Sequence, residues 1–326
     1  MVHYGVYANA AYGWKGRLFS RFRLHRSDVT AIPASLRAFK STVDVVYVSS
    51  KAKKGSPMYF IAKDRERKTI VLTIRGTLSL EDCFTDLDVE LEGFEKEEKG
   101  GIKEWFGMGG KYLAHGGMLE GAKSISIQAR RRISALLAVH TDYTLVITGH
   151  SLGAGVASIL GSLWSSTFPS LLVFAYGVPC IAPLSCMPTT SENVVSVVNT
   201  GDPFATMSVG HLEDVVKGLT WLAERREVRE EVIEAISRGG KGGNHVTERV
   251  IKEIREVMNS EKYYPPGRVY EIREMEGGRV EMWKVGQERW KEMVLQYNML
   301  DIPKHVPFLY EDLLKRLSPC DVTKER

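Results

Sequence analysis

Cysteine is scarce in this chain of 326 residues: Cys83, Cys180, Cys186 and Cys320 are all there is. Their spacing fits neither a zinc site nor a disulfide framework. Free thiols in a reducing compartment are therefore expected. No run of about 20 uninterrupted apolar residues occurs, so no membrane-spanning helix is expected. The opening segment MVHYGVYANAAYGWKGRLFSRF has no sustained apolar stretch, which argues against a cleaved secretory signal. Neither sign of charge dominates. The formal net charge is +4, and no compact basic stripe interleaved with aromatics appears, so nucleic acid is not an expected partner. The cluster Gly239-Gly240-Lys241-Gly242-Gly243 lacks the lysine–serine or lysine–threonine pair of a phosphate loop and reads as a plain linker. Internal repeats and low-complexity tracts are absent. These absences point to a cytoplasmic protein whose association with a membrane is peripheral.

What is present is ordinary for a large folded domain: 44% hydrophobic and 26% charged residues. Residues 1–40 read as mixed and helical. The run Ser41–Val48 reads as a strand. Met58–Ala62 and Thr69–Ile74 form a hairpin around the charged turn Lys63–Lys68. The second of these runs is almost wholly apolar or β-branched, as suits a strand covered on both faces. Further buried strands are expected at Tyr143–Thr148, Leu171–Tyr176 and Asn193–Val198. Helices are expected over residues 117–140, ending near Arg130-Arg131-Arg132 or shortly after, and over Leu152–Ser165. From Glu213 to Ser260 the chain is charged and reads as two amphipathic helices joined by the glycine linker. Residues 268–273 and 279–285 form another hairpin, a helix starts near Gln287, and Tyr310–Leu317 is helical. Alternating strands and helices imply one α/β domain, a largely parallel sheet with helices on both faces.

The sharpest signal is Gly149-His150-Ser151-Leu152-Gly153, a G-x-S-x-G pattern. As a bare pattern it fits a glycine turn whose serine caps a helix. Context carries more: the apolar run YTLVIT leads into it and the small-residue segment LGAGVASILGSLW leads out. A serine on a tight strand-to-helix turn needs small neighbours, and its hydroxyl then projects beside a helix N-terminus that favours developing negative charge. A serine hydroxyl is a weak nucleophile without a base, and the base needs an acid to orient it. Asp202 stands just past the buried strand Val194–Val198, at the sheet edge where sites form. Read alone, it would be a turn aspartate before proline. Three histidines follow it. His305 lies in the proline-braced loop Asp301–Pro307 and is the first choice of base, with His211 second. His245 lies in the glycine linker. His115 and His150 precede the serine and read as structural or cleft-lining. The backbone N–H of Leu152 is one expected oxyanion donor; Thr77, in Arg75-Gly76-Thr77 after a strand, is the other.

These pieces resemble the class 3 lipases, which include fungal triacylglycerol lipases and the sn-1-specific diacylglycerol lipases. The matching segments are TIRGTLSLEDCFTDL, AHGGMLEGA, ITGHSLGAGVASIL, VVNTGDPF, YPPGRVYEI and DIPKHVPFLY. The first is nearest the diacylglycerol-lipase branch. The resemblance covers roughly residues 5–315, with 213–260 the least family-like part. It implies an α/β-hydrolase fold with Ser151 as nucleophile, Asp202 as acid, His305 as base, and Thr77 and Leu152 as oxyanion donors. It also implies a lid that starts just after Thr77. Two departures stand out. Animal diacylglycerol lipases carry a transmembrane portion that this sequence does not contain. Many relatives place the acid in a D-x-V-P context, where this chain reads Asp202-Pro203-Phe204-Ala205.

The expected organisation is thus a single domain with a lid over about 78–116 and a charged helical insertion over about 213–260. Opening the lid would present Leu78, Phe94, Trp105, Phe106 and Met108 to a lipid substrate, at a membrane or lipid-droplet surface. Trp105 and Phe106 fit core packing equally well. The expected chemistry is acyl transfer through an acyl-enzyme, with no cofactor and no metal. The expected substrates are acylglycerols, diacylglycerol or monoacylglycerol. Alternatives are an sn-1 phospholipase, a carboxylesterase for small or plant-derived esters, and a non-catalytic lipase-like interaction protein.

Overall fold

The computed structural model describes residues 1–13, 32, 36, 42–49, 55–76, 91–94, 112–181, 183, 193–206, 208–238, 240–286, 302–318 and 322–325. Its spine is a nine-stranded sheet in the order β1-β2-β3-β6-β7-β8-β9-β10-β11. The strands are β1 (Val43–Val48), β2 (Tyr59–Asp64), β3 (Thr69–Ile74), β6 (Thr144–His150), β7 (Leu172–Tyr176), β8 (Val194–Asn199), β9 (Arg268–Glu274), β10 (Val280–Val285) and β11 (Val322–Glu325). From β3 to β9 neighbouring strands run parallel. The β1–β2–β3 and β9–β10 pairings are antiparallel, and β11 joins β10 in parallel. A separate two-stranded ribbon pairs β4 (Leu91–Phe94) with β5 (Tyr112–His115). The α/β-hydrolase architecture expected from the sequence is the one adopted: a mostly parallel sheet with helices on both faces.

Strand parity decides which face each residue covers. On one face Tyr59, Ile61, Ile70, Leu72, Leu145 and Ile147 pack with α2 (Gly116–Val139) and α3 (Leu152–Trp164). Their neighbours Phe60, Ala62, Val71 and Val146 point the other way, against α1 (Val2–Ala10). Because successive side chains alternate, a strand covered on both faces buries every residue. That is why β3 is buried at every position. Trp164 donates from Nε1 to Ser126 Oγ at 3.0 Å, which ties α3 to α2 inside the first layer. On the opposite face α1 is pinned to the sheet by the buried Asp64, which His3 and Tyr7 reach at 2.5 and 3.0 Å. Burial opposes ionisation of Asp64, but hydrogen bonds from His3, the Arg67 N–H and Tyr7 outweigh it and hold the carboxyl below its usual range. Beside α1 lies α8 (Pro307–Arg316), whose Tyr310, Leu313 and Leu314 pack on Val197, Ile272 and Met282.

Several elements differ from the sequence reading. Helix α2 runs on to Val139, past the three arginines, because Ile133 is still buried in the layer beneath. The segment read as lacking periodicity contains the β4–β5 ribbon. Between β8 and β9 the chain forms the single-turn α4 (Pro203–Thr206), then three helices rather than two: α5 (Val209–Ala223), α6 (Arg226–Arg238) and α7 (Gly240–Val257). Gly240, Gly242 and Gly243 open α7 instead of linking helices. The packing of α7 against its neighbours overrides their poor helix propensity: Ile254 reaches Gly218 of α5, and Arg249 bridges to Glu231 of α6. The helix expected near Gln287 lies outside the described residues. Cys180 is a free, buried thiol; Cys83, Cys186 and Cys320 also lie outside the described residues.

Candidate active site

The sheet delivers β6 to its centre, and the chain then turns sharply into α3. Ser151 sits on that turn with φ 58° and ψ −132°, a backbone conformation that costs an L-residue energy. The turn is held because the Ser151 N–H donates to the Tyr176 carbonyl at 3.0 Å, while its own carbonyl accepts from Ala154 and Gly155. Two glycines make the geometry possible. A Cβ on Gly149 would stand 2.5 Å from the Gly153 carbonyl oxygen, and one on Gly153 would stand 2.4 Å from that of Ile74. No side chain fits either place.

Three residues far apart in the chain meet at this edge. Ser151 Oγ lies 2.7 Å from His305 Nε2. His305 Nδ1 lies 2.8 and 3.0 Å from the two carboxylate oxygens of Asp202. A carboxylate at Nδ1 fixes the proton there and leaves the Nε2 lone pair to accept the serine proton. Asp202 is fully buried, a position that costs several kcal/mol for a carboxylate unless donors surround it. The sequence provides them locally. Gly201, at φ 82°, turns the chain after β8, and the start of α4 then presents the N–H groups of Phe204 and Ala205 at 2.9 and 3.3 Å. A further donor is the hydroxyl of Tyr310, at 2.5 Å. That hydroxyl in turn accepts from the Asn199 N–H at 2.9 Å. Burial, and then the negative charge of Asp202, push the Tyr310 phenol well above its usual range, so it stays a donor. The short 3₁₀ turn Ile302–His305 is tied down by Asn199 Nδ2, which donates to the Lys304 carbonyl at 3.0 Å. Phe204 packs on the His305 ring, with centroids 4.4 Å apart.

The other expected residues fall as follows. Leu152 begins α3, so its N–H lies at the helix terminus beside Ser151. Thr77, Leu78, Trp105, Phe106 and Met108 lie outside the described residues. Phe94 ends β4, opposite Tyr112. The last described residue before Thr77, Gly76, comes close to the nucleophile: a Cβ there would stand 3.2 Å from Ser151 Cβ. His211 is not the histidine that contacts Ser151. It caps its own helix, its Nδ1 taking the Ser208 N–H at 2.9 Å. Burial first, then Lys262, lower its pKa to about 4. His245 is exposed on α7. His115 is buried just ahead of α2, and His150 is buried beside His305, 4.8 Å between ring centroids. Reading the sequence missed Tyr310 and Phe204 as neighbours of the buried acid. Both were within reach of it: Phe204 is two residues after Asp202, and Tyr310 follows His305 inside the same DIPKHVPFLY segment.

The arrangement can move a proton from a hydroxyl to an imidazole whose far nitrogen is held by a buried carboxylate, next to a helix N-terminus. The family model described as Lipase (class 3) matches residues 71–211. Human diacylglycerol lipase-alpha is 28% identical over 258 residues, 71% of this chain and 24% of that protein. Mouse diacylglycerol lipase-beta is 29% identical over 178 residues, 53% of this chain and 25% of that protein. The chain thus spans about a quarter of the length of these curated relatives. Among solved structures, a Yarrowia lipolytica lipase aligns with a TM-score of 0.47 at 20% identity, covering 62% of this chain and 72% of that one.

Proposed function

We propose, from the match of residues 71–211 to the family model described as Lipase (class 3), that the protein is a serine ester hydrolase acting on acylglycerols, diacylglycerol or monoacylglycerol foremost. The observation that carries this reading is the continuous hydrogen-bonded line Ser151–His305–Asp202, at 2.7 and 2.8 Å. Ser151 gives its proton to His305 Nε2 and attacks the ester carbonyl carbon. Asp202 holds the tautomer and stabilises the imidazolium that forms. The Leu152 N–H and Thr77 carry the oxyanion, donors of a kind worth about 3 kcal/mol each to the transition state. His305 then protonates the departing glyceride oxygen. Water, activated by the same ring, releases the fatty acid and restores Ser151. Residues 78–116 act as the lid, with Leu78, Phe94, Trp105, Phe106 and Met108 facing the lipid when it opens. Among the described residues no helix is long and apolar enough to cross a membrane. In this reading a cytoplasmic protein meets its substrate at a membrane or droplet surface.

The test is a substrate profile of the purified protein and its Ser151→Ala variant. Emulsified mono-, di- and triacylglycerols, phospholipid vesicles and a soluble short-chain ester would be compared. The expected result is preference for partial acylglycerols and a loss of at least about a thousandfold on every ester in the variant. Full activity in Ser151→Ala would overturn the catalytic reading. Preference for phospholipid, or for the soluble ester alone, would replace the substrate.

A further inference from the structure

A second polar pair lies behind the Ser151–His305 contact, and no step of the reaction consumes it. His150, the last residue of β6, is buried, and its Nδ1 lies 2.9 Å from the hydroxyl of Tyr12, two residues beyond the end of α1. Its ring centroid is 4.8 Å from that of His305 and 5.4 Å from that of Tyr310, the latter nearly edge-on at 70°. Its Nε2 faces Gly177, where a Cβ would meet it at 3.0 Å and Asp202 Oδ2 at 3.3 Å. Tyr12 also reaches the other side of the nucleophile. A Cβ on Gly76 would stand 2.5 Å from its hydroxyl, at the turn that leads to Thr77. One phenol therefore touches both the residue before the nucleophile and the turn after β3.

We propose that Tyr12 and His150 are a positioning pair: the Tyr12 hydroxyl donates to His150 Nδ1 and locks the His150 ring as the wall that holds the His305 ring between Ser151 and Asp202. This rests on the hydrolase reading above and deepens it. Asp202 and Ser151 hold the two nitrogens of His305, but the ring can still rock about the line between them. Contacts with Phe204 and His150 remove that freedom, and only a held wall removes it fully. The wall must also be uncharged, because His305 becomes a cation during the reaction. The groups that face His150 are Tyr12, His305, Tyr310 and Asp202. Burial first, then the neighbouring His305, keep the His150 imidazole well below its usual range and hence neutral. A donor at Nδ1 occupies the lone pair that would otherwise take a proton. The consequence reaches back along the chain: α1, pinned at Asp64 by His3 and Tyr7, is part of what aims the base.

The experiment uses the full chain and a soluble p-nitrophenyl ester, with Ser151→Ala run beside Tyr12→Phe, His150→Leu and His150→Asn. Asparagine can place an acceptor near the lost Nδ1, so it should retain most of the turnover that leucine loses. Tyr12→Phe removes one oxygen and should lower kcat about tenfold, with KM changed by less than about twofold and the melting temperature by less than about 3 °C. Wild-type kcat in Tyr12→Phe, or a rise in KM in place of the fall in kcat, would overturn the positioning role. So would a lack of difference between the asparagine and leucine variants. If His150→Leu does not fold, Tyr12→Phe decides alone. A Ser151→Ala variant that still turns over would remove the hydrolase reading itself; an inactive one beside a wild-type Tyr12→Phe would remove only the positioning pair.

Discussion

Asp202 and Glu231 are both acids with a cationic or protonatable partner, and they show how differently two parts of the molecule are built. Asp202 is fully buried, and its donors include His305, two backbone N–H groups and Tyr310. Glu231 meets Arg249 on the surface of the helices between β8 and β9, with both side chains nearly half exposed. The first arrangement must be complete, because a buried acid that loses a donor keeps its desolvation cost. The second contributes little in either direction, as solvated ion pairs do. Apolar residues follow the same division. Phe204 and Tyr310 are buried beside the site, whereas Val216 and Leu219 of α5 and Ile233 and Ile236 of α6 are exposed. The lesson is that the sheet edge is specified atom by atom, while helices α5 to α7 are specified mainly by helical periodicity.

Tyr310→Phe is the substitution that should separate the two most strongly. It keeps the ring in the core and removes only the oxygen that joins Asp202 to the Asn199 N–H. Turnover of a soluble ester should fall between about tenfold and a hundredfold, with stability lowered by about 1–3 kcal/mol in chemical denaturation. Unchanged turnover would mean that the acid does not need the Tyr310 hydroxyl. At the small end stands the pair Ile233→Ser and Ile236→Ser. These should change stability by less than about 0.5 kcal/mol each and leave soluble-ester turnover alone. A loss above about 2 kcal/mol would show that the face is covered, and the division drawn above would fail.

How far the site can be read from residues alone follows from the same division. The strand-to-helix turn at Ser151 is legible because it needs two glycines and apolar strand residues in fixed order. Asp202 and His305 are legible by chain order and by the ends of predicted elements. Tyr310 is not, because an amphipathic helix announces that a side chain is buried without saying which polar atom its hydroxyl meets. Tyr12 is still less so: its partner His150 lies 138 positions away. The stretch from α5 to α7 misleads for the opposite reason. Gly240, Gly242 and Gly243 have poor helix propensity, yet the packing of α7 on α5 and α6 draws them into its first turn. The β4–β5 ribbon is too short, at four residues a strand, to leave a clear period-two pattern.

The central claim is that Ser151 is the nucleophile of an acyl-transfer reaction, and covalent labelling tests it most directly. The protein would be treated with a long-chain alkyl phosphonate ester and the modified peptide mapped by mass spectrometry. One adduct per chain on the peptide containing Gly149-His150-Ser151-Leu152-Gly153, absent in Ser151→Ala and strongly slowed in His305→Ala, is the predicted result. An adduct on another residue, or undiminished labelling of the Ser151→Ala protein, would contradict it.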